Sequence, residues 1–291
     1  MRIVVVGDSL GLPRPHRINN YTPDETELAV HYEHTYSSII AKEWKDSNIE
    51  VINRSQRFYT IKDIYNQFAD HLFFYEPDVM VLQAGIVDCW FREQLNGRQM
   101  VPILEFKGYV NKIIELMNLR PKVKMIIVGI CPTSKKMEKQ YPGILKEIIE
   151  YNKIYRGVSD NCQIFYLDME KHIQPDNPHQ YLLPDDHHLN QEGNRLVATE
   201  LSSFLKAFYE NVLGSYAYNE NKIQEAYEHF QTSYKAIPYY EDNLYNFLIT
   251  LLQLKKNEEL KELISNIQKR FNIKDMEVIE LIKTIKSNFN Y

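Results

Sequence analysis

The first ten residues, M-R-I-V-V-V-G-D-S-L, constrain the fold of this chain more than any other stretch. Residues 3–6 are apolar with no alternating polar positions, which is typical of a strand buried on both faces of a parallel sheet. Gly7, Asp8 and Ser9 stand where this strand ends, at the edge where open α/β sheets bind ligands. A Ser9 hydroxyl there would lie near backbone N–H groups and a helix dipole, although Ser9 could also serve only as a helix N-cap.

Five strand-like runs alternate with helical patterns, which predicts a parallel sheet with helices on both faces. The predicted strands are the opening run and residues 49–53, 77–85, 125–128 and 162–167, and the predicted helices are residues 35–45, 61–73, 104–117, 141–158 and 190–212.

A second polar cluster lies between the last strand-like run and the last of these helices. It reads P-D-D-H-H-L-N from Pro184 to Asn190, so that Asp185 and His188 are three residues apart. A serine nucleophile needs an imidazole to take its proton and a carboxylate to orient that imidazole. With G-D-S-L in the first turn and D-x-x-H-L-N near the end of the domain, the chain resembles the GDSL, or SGNH, hydrolases.

The resemblance implies a three-layer α/β/α sandwich of flavodoxin type with a five-stranded parallel sheet. It implies that Ser9 attacks an acyl carbon, that His188 acts as general base and then acid, and that Asp185 holds His188. It also implies a serine esterase that acts on O-acetyl groups or other short acyl esters of a carbohydrate or small molecule. No cofactor is expected.

Two loops depart from the family pattern on the side that would bind the oxyanion. The family has a glycine after the second strand whose N–H helps to form the oxyanion hole, whereas residues 54–57 read R-S-Q-R. Ser55 could still supply an N–H, although less freely than glycine. The family's G-x-N-D block is matched by Gly85 and Asp88, but Val87 replaces the asparagine donor. Losing one such donor costs roughly 3–4 kcal/mol.

Several polar residues could replace the missing donor or bind substrate. Gln56, Arg57 and Arg92 are predicted near strand ends and could supply the donor. Arg14, His16 and Arg17 follow the serine in a long irregular loop, where they could meet an anionic substrate group or form a solvated basic surface.

The histidine and aspartate cluster could also be interpreted as a metal site. It comprises His179, Asp185, Asp186, His187 and His188, but its spacing fits no common metal motif, so we expect no metal. His188 matches the family's base, and His187 is expected to have only a solvent or packing role.

The three cysteines, Cys89, Cys131 and Cys162, lie in or beside apolar runs, which predicts buried reduced thiols in a cytoplasmic protein. Cys89 lies near the proposed site, but no cationic neighbour is evident that would activate it as a nucleophile. The chain enters a core strand directly, and no apolar run approaches the ~18 residues of a membrane span. We therefore expect neither secretion nor membrane insertion.

Residues 213–291 differ in character from residues 1–212, the predicted hydrolase domain. They lack strand-like runs and contain a tetratricopeptide-like pattern carried by Leu213, Gly214, Ala226, Phe230 and Pro238. This helical extension could stabilise the domain or its dimer, or could bind a protein partner.

The net charge of −5 provides no general attraction to nucleic acid or anionic membranes. Besides a hydrolase, two functions stay open at this point. One is an acyltransferase that uses the same triad on a sugar or glycan precursor. The other is a non-catalytic binding or scaffold protein, in which Val87 marks lost catalysis.

Overall fold

The computed structural model describes residues 1–14, 30–159 and 162–289. The chain divides into two units, Met1–Glu200 and Leu201–Tyr291. This division falls inside a helix that spans Gln191–Asn219. The sequence places the domain boundary further along that helix, between residues 212 and 213, and that boundary stays a prediction.

The first unit contains a parallel sheet of five strands and a separate two-stranded antiparallel ribbon. The strands, in chain order, are β1 (Arg2–Gly7), β2 (Glu50–Asn53), β3 (Val79–Gln83), β4 (Phe91–Arg92), β5 (Arg98–Gln99), β6 (Lys124–Val128) and β7 (Ile164–Leu167). The ribbon pairs β4 with β5, and the larger sheet has the order β2-β1-β3-β6-β7.

The strand order identifies where a ligand site should lie. The chain passes from β1 outward to β2 and then returns across β1 to β3, so that Val5 pairs with Asn53 on one side and with Val81 on the other. The connection therefore reverses direction between β1 and β3. Open α/β sheets bind ligands at the carboxyl ends of strands at such a switch point.

Seven helices of the described chain belong wholly or partly to this unit. They are α1 (Tyr36–Glu43), α2 (Ile61–Phe74), α3 (Ile86–Cys89), α4 (Ile103–Asn118), α5 (Lys135–Gln140), α6 (Ile144–Val158) and α7 (Gln191–Asn219). Helix α2 packs on α4 and α4 on α6, whereas α1 packs against β2. The N–H of Tyr36, the first residue of α1, donates to Asn194 Oδ1 in α7 at 3.0 Å. The three-layer α/β/α fold predicted from the sequence is confirmed.

The core lies in the middle of the sheet. The side chains of Val4, Val5, Leu82, Ile126 and Ile127 have no exposed surface. These positions belong to the strands that read as continuous apolar runs, which is what a sheet covered on both faces requires.

Helix α2 begins with a capping box. Thr60 Oγ1 accepts from the Asp63 N–H, and Asp63 Oδ2 accepts from the Thr60 N–H at 2.9 Å. Both bonds satisfy donors that a helix start leaves unpaired. The start of α2, which lies near the site described below, is therefore well defined.

The second unit contains the end of α7 and four further helices of the described chain, α8 (Ile223–Ala236), α9 (Glu241–Gln253), α10 (Asn257–Arg270) and α11 (Met276–Phe289). Ala226 and Phe230 are buried in its core, as the tetratricopeptide pattern requires. A side chain at Gly214 would collide with the Phe230 ring. The all-helical tail is confirmed, and its likeness to a tetratricopeptide repeat stays a prediction.

Three features differ from the sequence analysis. Helix α7 continues past residue 212 to Asn219. The short helices α3 and α5 and the β4–β5 ribbon were not predicted, because they are too short to carry a periodic pattern. Cys89 and Cys131 are buried, but Cys162 is exposed because it stands in the turn before β7, so the prediction of three buried thiols is wrong there.

The expectation that no segment spans a membrane can be compared with the described helices. Among residues 1–14, 30–159 and 162–289, no helix combines the length and the apolar character that a membrane crossing needs.

Candidate active site

Ser9 lies directly after the carboxyl end of β1. It begins a short 3₁₀ turn, Ser9–Gly11, whose N-cap is Asp8. Asp8 Oδ1 accepts from the Leu10 N–H at 2.9 Å, and the Asp8 N–H donates to Gln83 O in the neighbouring strand at 3.0 Å. The serine is thus fixed at the switch point of the sheet.

Glycine is required at the last position of β1. A side chain at Gly7 would collide with the backbone carbonyl of Gln83 in β3. This close approach of two strands lets the Ser9 turn sit directly above the sheet edge. Gly7 is therefore needed for the close packing of β1 against β3, in addition to the chemistry predicted for Ser9.

Ser9, His188 and Asp185 form one series of hydrogen bonds. Ser9 Oγ lies 2.8 Å from His188 Nε2, and His188 Nδ1 lies 2.8 Å from Asp185 Oδ2. Because the carboxylate can only accept, Nδ1 carries the proton and Nε2 is free to accept from the serine hydroxyl. His188 is buried, with 4% of its surface exposed, so its imidazole is held in this orientation.

The loop that carries His188 is closed by backbone hydrogen bonds between its two ends. Leu182 and Leu189 form an antiparallel bridge, and the Leu183 N–H donates to His188 O at 2.7 Å. Asp185 Oδ1 also accepts from the backbone N–H of His188 at 3.0 Å. The carboxylate therefore binds both the backbone and the ring of the same residue, which fixes the ring relative to the loop.

The electrostatics of the loop support an ionised Asp185. Burial alone would raise the pKa of Asp185, but the hydrogen bonds from the ring and the backbone N–H of His188, together with the nearby His187, hold it below its usual range. Asp8 has the opposite environment, because burial and the charge of Asp88 raise its pKa to about 8, while the backbone hydrogen bond from Leu10 acts in the other direction. At neutral pH Asp185 is charged and Asp8 is mostly protonated.

A small cavity lies next to the turn that carries Ser9. It has room for about one water molecule, and its lining residues are Asp8, Leu10, Gln83, Ala84, Ile86, Gly129, Ile130, Cys131 and His187. Asp8 and Leu10 flank Ser9 in the chain, and Ile86 begins α3. The cavity therefore lies between the nucleophile turn, the end of β3 and the histidine loop.

The arginines predicted near the site occupy different places. Arg14 is half-buried, and burial lowers its pKa, an effect that the nearby Asp185 carboxylate opposes and the Arg57 guanidinium reinforces. Arg92 donates weakly to the backbone carbonyl of Val87, at 3.4 Å. His16 and Arg17 lie outside the described residues.

Asp185, His187 and His188 place ligand atoms within 4.8 Å of one another, as a metal site would. Both Nδ1 atoms of this group already have partners, since His188 Nδ1 lies 2.8 Å from Asp185 Oδ2 and His187 Nδ1 lies 2.8 Å from Asp185 O. The contacts fit a hydrogen-bonded triad, and the expectation of no metal stays a prediction.

Cys89 does not have the environment of a nucleophile. It ends the short helix α3, and burial raises its thiol pKa well above the usual value. A thiol must ionise to react, so this residue is held in its unreactive form.

The GDSL-like lipase/acylhydrolase family matches residues 6–196 of the chain. The chain belongs to this family. No curated protein sequence is similar enough to count as a match.

Solved structures with the same fold include several esterases. An acetyl xylan esterase, AlAXEase, has 20% identity and a TM-score of 0.54, over 70% of this chain and 98% of that one. A lipase/acylhydrolase from Enterococcus faecalis has 18% identity and a TM-score of 0.51, over 68% and 92%. A variant of Axe2, an acetyl-xylooligosaccharide esterase from Geobacillus stearothermophilus, has 14% identity and a TM-score of 0.52, over 68% and 90%. At these identities the likeness shows the fold alone.

The prediction for Ser55 in this GDSL-family chain needs correction. Its N–H donates to Asn53 Oδ1 at 3.0 Å, and the next N–H, of Gln56, donates to Gly7 O at 2.9 Å. Neither N–H is therefore free for an oxyanion. In this loop, Phe58 has the left-handed backbone conformation that is typical of glycine, with φ 62°. This conformation could not be predicted from the sequence, because phenylalanine rarely adopts it.

Residues 85–88, which correspond to the family's G-x-N-D block, contain a glycine that the backbone requires but no side-chain donor. Gly85 has φ 123°, and a side chain there would collide with Ile130. Val87 is buried and offers no polar side-chain atom. Asp88 Oδ1 accepts from the Ile61 N–H at 2.9 Å, so the aspartate holds the start of α2.

Proposed function

We propose that this chain is a serine acyl-ester hydrolase that removes acetyl or similarly short acyl groups through Ser9, His188 and Asp185. The observation that carries the proposal is the unbroken hydrogen-bonded series from Ser9 Oγ to the Asp185 carboxylate, with both distances at 2.8 Å. Family membership supports the reaction class.

In the proposed mechanism, Ser9 Oγ attacks the acyl carbon while His188 Nε2 takes the hydroxyl proton. Asp185 keeps the imidazole oriented and stabilises its charged form. His188 then donates the proton to the departing alcohol oxygen, which leaves an acyl group on Ser9. A water molecule, activated by the same imidazole, releases the acid and restores the serine.

Two backbone donors are proposed for the oxyanion. The N–H of Ser9 has no acceptor among the described residues, and it is adjacent to the attacking oxygen. The N–H of Phe58 is the second, because its left-handed backbone is the conformation that a glycine would adopt in this loop. With Val87 in place of a side-chain donor, we expect a slower enzyme than one with three donors.

The cavity beside Ser9 supports a short acyl group. It has room for about one water molecule, and a methyl group is of similar size. Structural neighbours described as acetyl xylan and acetyl-xylooligosaccharide esterases favour an acetylated carbohydrate as substrate. We therefore propose an O-acetyl ester of a carbohydrate or small polyol.

The remaining parts of the proposal concern context. We propose residues 1–212 as the hydrolase domain and residues 213–291 as a tetratricopeptide-like extension that binds a protein partner or a second copy. A cytoplasmic location is proposed from the three free cysteines.

The test is Ser9→Ala, assayed with p-nitrophenyl acetate and with a fluorophosphonate that labels reactive serines. We expect turnover to fall to the buffer rate and labelling to disappear, with an unchanged melting temperature. Ser159→Ala is the matched control, because Ser159 follows the end of α6, before β7, and its hydroxyl donates to Arg156 O within that helix end. Undiminished turnover by Ser9→Ala would refute the nucleophile, and an unlabelled wild type would favour a non-catalytic protein.

A further inference from the structure

His187 lies beside the triad with a fixed tautomer. Its Nδ1 is 2.8 Å from the backbone oxygen of Asp185. A carbonyl oxygen can only accept a hydrogen bond, so Nδ1 must carry the proton. Burial, together with the nearby charge of His188, lowers the pKa of His187 to about 4, so the ring is neutral near pH 7. Its Nε2 is therefore an acceptor.

The ring is held in place from two sides. Its centroid lies 4.3 Å from that of His188 and 5.4 Å from that of Trp90. Trp90 in turn packs edge-on against Tyr141 at 5.5 Å. These contacts and the bond to Asp185 leave the imidazole little freedom, so the lone pair on Nε2 has a fixed position next to the catalytic base.

His187 is partly exposed next to the candidate triad, because 31% of its side chain is accessible and its ring packs against that of His188. The ring also lines the small cavity proposed for the acyl group, so its exposed part is what remains for the alcohol portion of a substrate. In the described part of the chain, no residue hydrogen-bonds to its Nε2. The acceptor is therefore not used by the described protein groups.

The fixed tautomer of His187 determines which part of a substrate its Nε2 can hydrogen-bond to. An unprotonated Nε2 cannot donate, so His187 cannot replace the oxyanion donor that Val87 lacks. A lone pair next to the oxyanion would instead repel it. The acceptor is compatible with the alcohol portion of an ester, where a neighbouring hydroxyl group would donate to it.

We propose that His187 is a specificity-determining residue, whose Nε2 accepts a hydrogen bond from a free hydroxyl group adjacent to the scissile ester. The ligand class is a partly acylated polyol, such as a sugar ring with a free hydroxyl beside its acetyl ester. This inference rests on the proposed esterase function and extends it from the acyl group to the alcohol.

Two variants separate substrate recognition from support of the loop. In His187→Asn the amide nitrogen replaces Nδ1 and keeps the bond to Asp185 O, but nothing stands at Nε2. In His187→Gln the amide oxygen reaches the Nε2 position, but the bond to Asp185 O is lost. His229→Asn is the control histidine, because His229 binds Glu210 in the second unit.

The measurement is the ratio of kcat/KM for two esters, methyl 3-O-acetyl-β-D-xylopyranoside and the same compound with its other hydroxyl groups methylated. We expect wild type and His229→Asn to prefer the free-hydroxyl ester about tenfold, which is the size of one hydrogen bond to a neutral group. The ratio should approach one in His187→Asn and recover in His187→Gln.

Three outcomes would overturn the inference. Wild type could show no preference, His187→Asn could keep the preference, or both variants could lose it, which would assign to His187 only a structural role. Failure of the proposed function is recognised separately, because wild type would then show no Ser9-dependent turnover of p-nitrophenyl acetate, and the inference would fall with it.

Discussion

The two halves of the candidate site differ in completeness. On the acid–base side, Ser9, His188 and Asp185 contact one another at hydrogen-bond distance. On the oxyanion side, the Ser55 N–H is already bonded to Asn53, and Val87 has no donor. The comparison shows that the Ser9–His188–Asp185 contacts can persist while residues 55 and 87 depart from the family pattern, because these residues belong to different loops.

The largest effect should come from the acid–base side. Asp185→Asn keeps the size of the side chain but removes the charge that fixes the tautomer of His188, so we expect kcat for p-nitrophenyl acetate to fall by about 10⁴-fold. Steady-state kinetics with a stopped assay will measure it.

Asp186→Asn is the matched control. Its carboxylate is fully buried and faces His179 Nε2 at 3.2 Å rather than His188, and asparagine tolerates its φ of 65°. A loss in Asp186→Asn equal to that in Asp185→Asn would contradict the assignment of the triad carboxylate.

A gain of function is expected on the oxyanion side. Val87→Asn restores an amide at the position where the family has one, and we expect kcat to rise by roughly 10-fold to 100-fold, somewhat less than the full value of a donor because the loop is not adapted to it. Val87→Leu introduces a side chain similar in shape to asparagine but without a donor, so it should show no increase in kcat. An increase in both variants would point to packing rather than hydrogen bonding.

The same contrast explains what the sequence could and could not predict. The β1 strand, the turn at Ser9 and the Asp185–His188 pair are each local in sequence, so their patterns predict their own structure. The contact between Ser9 and His188 spans 179 residues, and only the family resemblance predicts it. The N–H groups of residues 55–58 depend on how one loop meets Gly7 and Asn53, which no local pattern reveals. The role of Asp88 at the start of α2 is likewise a contact across 27 residues of chain.

The stability of the folded chain is expected to depend on pH through Asp8, in the turn that carries Ser9. The pKa of Asp8 is raised to about 8 in the folded chain, so the unfolded chain loses this proton near pH 4 and the folded chain keeps it until about pH 8. The folded state binds more protons across that window, and stability falls as the pH rises through it.

Asp8→Asn should remove this loss while its amide oxygen still accepts from the Leu10 N–H. We expect the stability of the variant relative to wild type to improve by about 1–3 kcal/mol between pH 5 and pH 8. Urea unfolding at both pH values will test this. A constant difference between the two proteins would show that Asp8 is ionised in the folded state.

The smallest effect concerns the backbone of the oxyanion loop. Phe58 has φ 62° and a side chain that is 74% exposed, so the chain accepts a strained conformation with little burial in return. Phe58→Gly and Phe58→Ala both remove the ring and keep the N–H, but only glycine adopts this conformation without strain. We expect Phe58→Gly to be the more stable of the two by up to about 1 kcal/mol, a difference of about 2 °C in Tm. Equal melting temperatures would mean that the loop relaxes, and the proposal of the Phe58 N–H as the second oxyanion donor would then lose its support.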